Sequence, residues 1–260
     1  MLDVTRDGPV LRVRLNRPEV RNAFNRELID TLRDCFSGVK SDDGTRVLVL
    51  SGEGPVFCAG ADLNWMRAAA GWSETQHLED AERLFDMLAA LEACAVPTIA
   101  RVHGAALGGG MGLTAACDIA IAAEGTQFGF TEAKLGLLPA AISPFCVASI
   151  GPSHSRALFA TAERFDAARA LQIGLVHRVV PADQLDAAVQ KGIAEVLSSA
   201  PGAAAGARQL ATRVAGQPLA AVREEVTRLN AARRASEEGR EGMSAFLEKR
   251  KPRWIEPRSE

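Results

Sequence analysis

His103-Gly104-Ala105-Ala106-Leu107-Gly108-Gly109-Gly110-Met111-Gly112-Leu113 is the most glycine-dense stretch of the 260-residue chain, and its surroundings decide the fold. VPTIARV, at 96–102, leads into it and reads as a strand, with Pro97 at its start where a missing N–H is tolerated. A short helix over about 110–117 and another strand, DIAIAA at 118–123, follow at once. A strand that ends in three glycines and flows into a helix leaves unpaired amides at the helix start, with the positive end of the dipole behind them. Such a corner binds negative charge, either a phosphate or an oxyanion that develops during reaction, and glycine lets the ligand approach the backbone closely.

Working outward, VLRVRL at 10–15 alternates with period two and reads as a half-buried strand followed by a proline-bearing turn, NRPEVRN. Phe24, Leu28, Ile29, Leu32 and Phe36 then recur at helical spacing, SDDGT at 41–45 closes that helix, and RVLVLSG at 46–52 is a second strand. One long amphipathic helix is expected over 74–95, with Leu78, Ala81, Leu84, Phe85, Leu88 and Leu91 on one face. Residues 128–139 look like a loop, and beyond about 150 the chain turns alanine-rich and helical, with one short strand at 176–180. The alternation predicts an α/β core over 1–200 and a C-terminal helical region over 201–260. Because 200–250 holds few large apolar residues, that region is expected to pack on a neighbouring subunit as well as on the core.

The formal charge of −2, from 30 basic and 32 acidic residues spread along the sequence, provides no field for nucleic acid or anionic lipid. MLDVTRDGPVLRV does not have the form of a secretory signal, and no run reaches about 18 apolar residues, so no membrane span is expected. Cys35, Cys58, Cys94, Cys117 and Cys146 are odd in number and widely spaced, which suits reduced thiols in a cytoplasm. His77, His103, His154 and His177 lack ligand-like spacing, so no metal site is expected.

Gly110 to Ala115 fits G-x-G-x-x-A, with an acid, Glu132, about twenty residues on. A dinucleotide fold, however, needs a crossover helix of ten or more residues, and the next strand begins at Asp118. No P-loop and no G-x-S-x-G occurs. The glycines could also serve close packing alone, but a second small-residue loop, Ala59-Gly60-Ala61-Asp62, can supply a second amide, and two amides make an oxyanion hole. Cys58 adjoins that loop as a rival nucleophile, without a histidine that can be placed beside it.

F-x-A-G-A-D-L, H-G-x-x-x-G-G-G, C-D-x-x-I-A and F-x-x-x-E-x-K-L-G-L-x-P, in this order, resemble the crotonase superfamily, the enoyl-CoA hydratase and isomerase group, across about residues 5–255. The resemblance implies a crotonase-like spiral of repeated ββα units with a C-terminal helical trimerisation region, assembled as trimers or hexamers. It implies an acyl-CoA substrate, with the coenzyme A carried by the substrate and no separate cofactor. Ala61 and Gly109 N–H would form the oxyanion hole for a thioester enolate, and Arg21, Ala23, Ala59, Asp62, Leu63, Gly108 and Gly112 would line the substrate and coenzyme A site. Lys249-Arg250-Lys251 is a second candidate for the phosphates, on an adjacent subunit.

Hydration needs a base for water and an acid for the α carbon, and two carboxylates do this well. The family's first glutamate position is Gly112 here; the second is Glu132, with Phe128, Phe130, Leu135 and Leu137 nearby to keep it dry. Asp62 is an expected helix N-cap. One glutamate suits either a hydratase in which it is base and then acid, or an isomerase in which it shuttles a proton; loss of the first could also leave a non-catalytic acyl-CoA binder. Ala141 to Phe145, Glu163 to Ala167 and Ser236 to Trp254 resemble the methylglutaconyl-CoA hydratase branch, which implies a short, branched, distally carboxylated acyl chain of the kind met in leucine breakdown. Lys134 and Arg67 are the cations available to such a carboxylate.

Overall fold

Residues 1–40 and 43–255 are described by a computed structural model of the chain. Strands β1 (Leu2–Asp7) and β2 (Val10–Leu15) form an antiparallel hairpin around Gly8, whose φ of +54° suits a residue without Cβ. Helix α1 (Arg26–Ser37) starts where the Asn25 side chain accepts from Leu28 N–H, and buries Leu28, Ile29, Leu32 and Phe36, the face its spacing predicted. Part of the expected turn at 41–45 lies outside the described residues.

Strand β3 (Val47–Gly52) is followed by α2 (Leu63–Ala69), α3 (Glu74–Glu92), β4 (Thr98–Val102), β5 (Ala105–Leu107), α4 (Gly109–Ala116), β6 (Ile119–Ala123) and β7 (Gln127–Gly129). After a 3-10 turn at Glu132–Leu135 come α5 (Ser143–Thr161), β8 (Arg164–Asp166), α6 (Ala167–Gln172), β9 (Arg178–Val180) and α7 (Leu185–Ser198). Helices α8 (Pro201–Val214), α9 (Leu219–Ala235) and α10 (Glu237–Leu247) complete the order.

A six-stranded sheet runs β1-β2-β3-β4-β6-β9, parallel from β2 onward, and a three-stranded sheet runs β5-β7-β8. Two single bridges, Cys58 with Ala106 and Phe24 with Ala61, extend the small sheet. Each of β2, β3, β4 and β6 therefore hands the chain to this second layer before a helix begins, the repeated ββα unit that the resemblance implied. Its larger core lies under α1, α3 and α4, while Leu185, Val189 and Ile193 of α7 cover the opposite face of the big sheet. Burial on both faces explains why Val47 to Leu50 read as a continuous apolar run.

Several expectations change. The helix expected to 95 ends at Glu92, and its buried face is narrower than the periodicity implied, because Leu78 and Phe85 are 59% and 42% exposed. The loop expected at 128–139 begins inside β7. In the C-terminal region α8 and α9 bury none of their residues within the chain, and Leu219, Phe246 and Leu247 are exposed. Among the described residues no helix is long and apolar enough to cross a membrane.

Candidate active site

The site forms where the two small-residue corners meet. Phe24 N–H donates to Gly60 C=O (2.6 Å) and Asp62 N–H to Phe24 C=O (2.8 Å), so in this parallel bridge the intervening Ala61 N–H faces away from Phe24. Cys58 is stitched to the next strand on its other side, donating to Ala105 C=O and accepting from Leu107 N–H at 3.1 and 3.0 Å. Across the corner, Gly108 N–H donates to Gly129 C=O (3.0 Å), and α4 begins one residue later. Gly109 N–H is thus at the first position of a helix, where no intrahelical acceptor exists. Among the described residues neither Ala61 N–H nor Gly109 N–H has a protein partner.

Glycine is required here for two separate reasons. Gly108 has φ +49° and ψ −115°, a conformation that side chains rarely adopt. A methyl group on it would lie 3.3 Å from Glu132 Oε1 and 3.8 Å from Gly60 Cα, which fixes how closely the three elements converge. Gly109 and Gly110 instead answer to packing: a Cβ on Gly109 would sit 2.4 Å from the Phe24 ring, and one on Gly110 would sit 2.6 Å from Cys58 C=O.

Glu132 opens the 3-10 turn after β7, and its Oε2 is buried without a hydrogen-bond partner. Burial pushes the carboxyl above the ordinary carboxylate range, with its own backbone N–H pulling the other way. Phe128 and Phe130 are fully buried beneath it, whereas Leu135 and Leu137 are more than half exposed and line the cavity mouth. Cys146, also buried, is close enough for the Glu132 charge to raise its thiol further. The Cys58 thiol is pushed up to about 12 by burial despite the Gly60 N–H directed at it, so it is held as an inert thiol.

Ala59, Ala61, Leu63, Gly108, Gly109 and Glu132 all line one cavity of about 840 Å³. Arg21, Ala23, Asp62 and Gly112 do not line it. Arg21 is exposed, with φ +56°, and its carbonyl accepts from Ala59 N–H, so its backbone supports the corner. Ala23 is buried against the same loop. Asp62 caps α2 through Asn64 and Trp65 N–H and ion-pairs with Arg17 at 2.8 Å, which engages both carboxylate oxygens. Gly112 faces packed side chains: a Cβ there would sit 2.8 Å from Ile142 Cγ2 and 3.0 Å from Leu88 Cδ1. Arg250 is forked onto Glu241 at 2.7 and 3.0 Å, and Arg67 donates to Asn64 at 2.9 Å.

Sequence reading missed Trp65, His77, Asp80 and Arg164 on the cavity wall. The amphipathic spacing of α3 was the one hint at His77 and Asp80, and an Asp or a His on a helix normally faces water; nothing in the local pattern pointed Trp65 on α2 or Arg164 on β8 into the cavity.

The family model for enoyl-CoA hydratase/isomerase matches residues 5–257, and the chain belongs to that family, within the crotonase superfamily. It is an enzyme of this group. Over 248 residues it is 35% identical to the enoyl-CoA isomerase/hydratase of Mycosarcoma maydis, covering 92% of this chain and 89% of that one. It is 31% identical over 251 residues to the crotonyl-CoA hydratase of Syntrophomonas wolfei, with 93% and 92% covered. Among solved structures, AtuE of Pseudomonas aeruginosa is 38% identical with a TM-score of 0.93, covering 98% and 99% of the two chains. An enoyl-CoA hydratase from Shewanella pealeana is 38% identical with a TM-score of 0.91, covering 97% and 95%.

Proposed function

We propose that the chain is a hydratase that adds water reversibly across the double bond of an α,β-unsaturated acyl-CoA, using Glu132 for both proton transfers. The observation that supports this best is a buried, unpartnered Glu132 Oε2 in the same cavity as two amides that lack protein partners. As water attacks the β carbon, electrons move toward the thioester oxygen, and Ala61 and Gly109 N–H receive the charge. Glu132 takes the proton from water and then delivers it to the α carbon, so the net change is addition of one water and the carboxylate is restored. No resident cofactor takes part, since coenzyme A enters and leaves with the acyl group.

The favoured acyl chain is short, branched and distally carboxylated, like methylglutaconyl-CoA. Its support is that Lys134 and Arg164 line the cavity beside Glu132 and can meet a second carboxylate. Proton shuttling by an isomerase is the second reading, favoured by the packing of Ile142 and Leu88 where a second glutamate would project from position 112. A trimer or hexamer is proposed from the unburied faces of α8 and α9, and a monomeric mass at micromolar concentration would contradict it. A cytoplasmic setting fits the five free thiols.

The test is turnover of crotonyl-CoA, methylglutaconyl-CoA and a 3-enoyl-CoA by wild type and Glu132→Gln, with mass analysis for added water. Water addition favouring the carboxylated chain, slowed about 10²–10⁴-fold by the substitution, is expected. Double-bond migration without water gain selects the isomerase, and two equally active or equally inert proteins remove Glu132 from the chemistry.

A further inference from the structure

The cavity has a second polar feature on the wall that α2 and α3 contribute. Trp65 on α2 and Asp80 on α3 both line it, and each carries a buried atom without a partner: the indole Nε1–H and carboxylate Oδ1. Trp65 is held in place by an edge-on contact with Trp72 at 6.5 Å between ring centroids, and Trp72 in turn packs on His77 at 5.7 Å. The indole N–H leans toward the Asp80 carboxylate without closing a hydrogen bond to it. Burial raises the Asp80 carboxyl, while the nearby Arg26 charge, the Trp65 indole, His77 and Arg83 oppose the shift. A buried donor and acceptor that fall short of a full hydrogen bond to each other are costly unless a third atom satisfies them.

A ligand atom that satisfies both must accept from nitrogen and donate to oxygen. A hydroxyl or water oxygen does this, whereas a methyl group does neither and a carboxylate cannot donate to Asp80. We propose that Trp65 and Asp80 form a hydroxyl-oxygen subsite on the α2–α3 wall of the acyl cavity. The oxygen comes either from the reaction itself, as the water added and the 3-hydroxyl of the product, or from a hydroxyl carried further along the acyl chain. Asp80 gains and loses no proton here; it holds the oxygen, and Glu132 keeps the proton transfers. This rests on the reading of the cavity as the acyl site. It goes beyond that reading by assigning two positioning residues outside the glycine corner.

Steady-state kinetics of wild type, Asp80→Asn and Trp65→Phe, each checked by thermal melting, decide it on two substrates: crotonyl-CoA and an enoyl-CoA bearing a hydroxyl at its far end. If the oxygen is the reacting one, both substitutions lower kcat about 10- to 100-fold on both substrates with little change in KM. If it belongs to the chain, KM rises about tenfold or more for the hydroxylated substrate alone. Should both variants keep kcat and KM within twofold on both substrates, whatever their melting temperatures, the subsite does not exist. Trp65→Phe keeps an aromatic ring in the Trp72 contact, so the question survives a poorly folded Asp80→Asn. Failure of wild type to turn over either substrate would instead sink the acyl-site reading itself, whatever Asp80 does.

Discussion

The two walls of the cavity solve the same problem with different materials. On the glycine corner, backbone groups are stitched across strands, from Phe24 to Gly60, Cys58 to Ala105 and Gly108 to Gly129, and among the described residues Ala61 and Gly109 N–H are left without protein partners. On the α2–α3 wall the unpaired groups are side chains, Trp65 Nε1 and Asp80 Oδ1, and the helices carrying them bury little of themselves: α2 buries no residue and α3 only Met87, Leu88 and Leu91. In the proposed mechanism, charge reception is therefore set by the fold, and recognition by exchangeable side chains. The difference identifies what changes activity without changing architecture.

The largest effect should come from crowding the fixed wall, using two glycines of the same run as a pair. Gly109→Ala places a methyl 2.4 Å from Phe24 and must displace the amide or the ring, so kcat/KM should fall about 10²-fold at a cost of about 1–3 kcal/mol in stability. Gly112→Ala meets Ile142 Cγ2 at 2.8 Å and Leu88 Cδ1 at 3.0 Å, a core clash away from both amides, so a stability loss with activity near wild type is expected. Equal loss of activity in both, measured beside denaturant melts, would show that general core strain and not the amide matters.

A smaller effect concerns Glu132 and pH. Its folded pKa lies above the unfolded value because burial disfavours the charge, so its contribution to stability is fully present below the ordinary carboxylate range and is lost as pH rises through the folded pKa. Glu132→Gln should consequently melt higher than wild type at neutral pH, with the gap closing below about pH 4, the unperturbed range. A melting-temperature difference that stays constant from acid to neutral pH would show that the carboxylate is not desolvated.

Much of the fold was legible because long elements carry period. The alternation at Val10–Leu15, the Leu28-Ile29-Leu32-Phe36 face and the apolar runs at β3, β4 and β6 all stand where their patterns put them. Strands β5 and β7 were missed because the glycines around these three-residue segments read as turn and loop, β8 because it interrupts an alanine-rich helical stretch, and β1 because four of its six residues are exposed at the sheet edge. Ala61, Gly109 and Glu132 were reachable as motif positions, and the structure brings them to one cavity. The N-cap at Asp62 was reachable too, but its ion pair with Arg17, the packed Ile142 beside Gly112 and the supporting carbonyl of Arg21 were not, being facts of tertiary neighbours. Asp80 was hidden for the opposite reason: an acid on an amphipathic helix looks solvated until the helix opposite is known.

The donors at Ala61 and Gly109 belong to the main chain, so no point substitution other than proline can delete them. Side-chain bulk can displace them, but only a proline removes one outright. On the proposed reading, a lineage carrying this scaffold can therefore exchange its acids, bases and recognition groups one codon at a time while keeping both main-chain donors. New chemistry in such a scaffold starts from a working electrostatic centre.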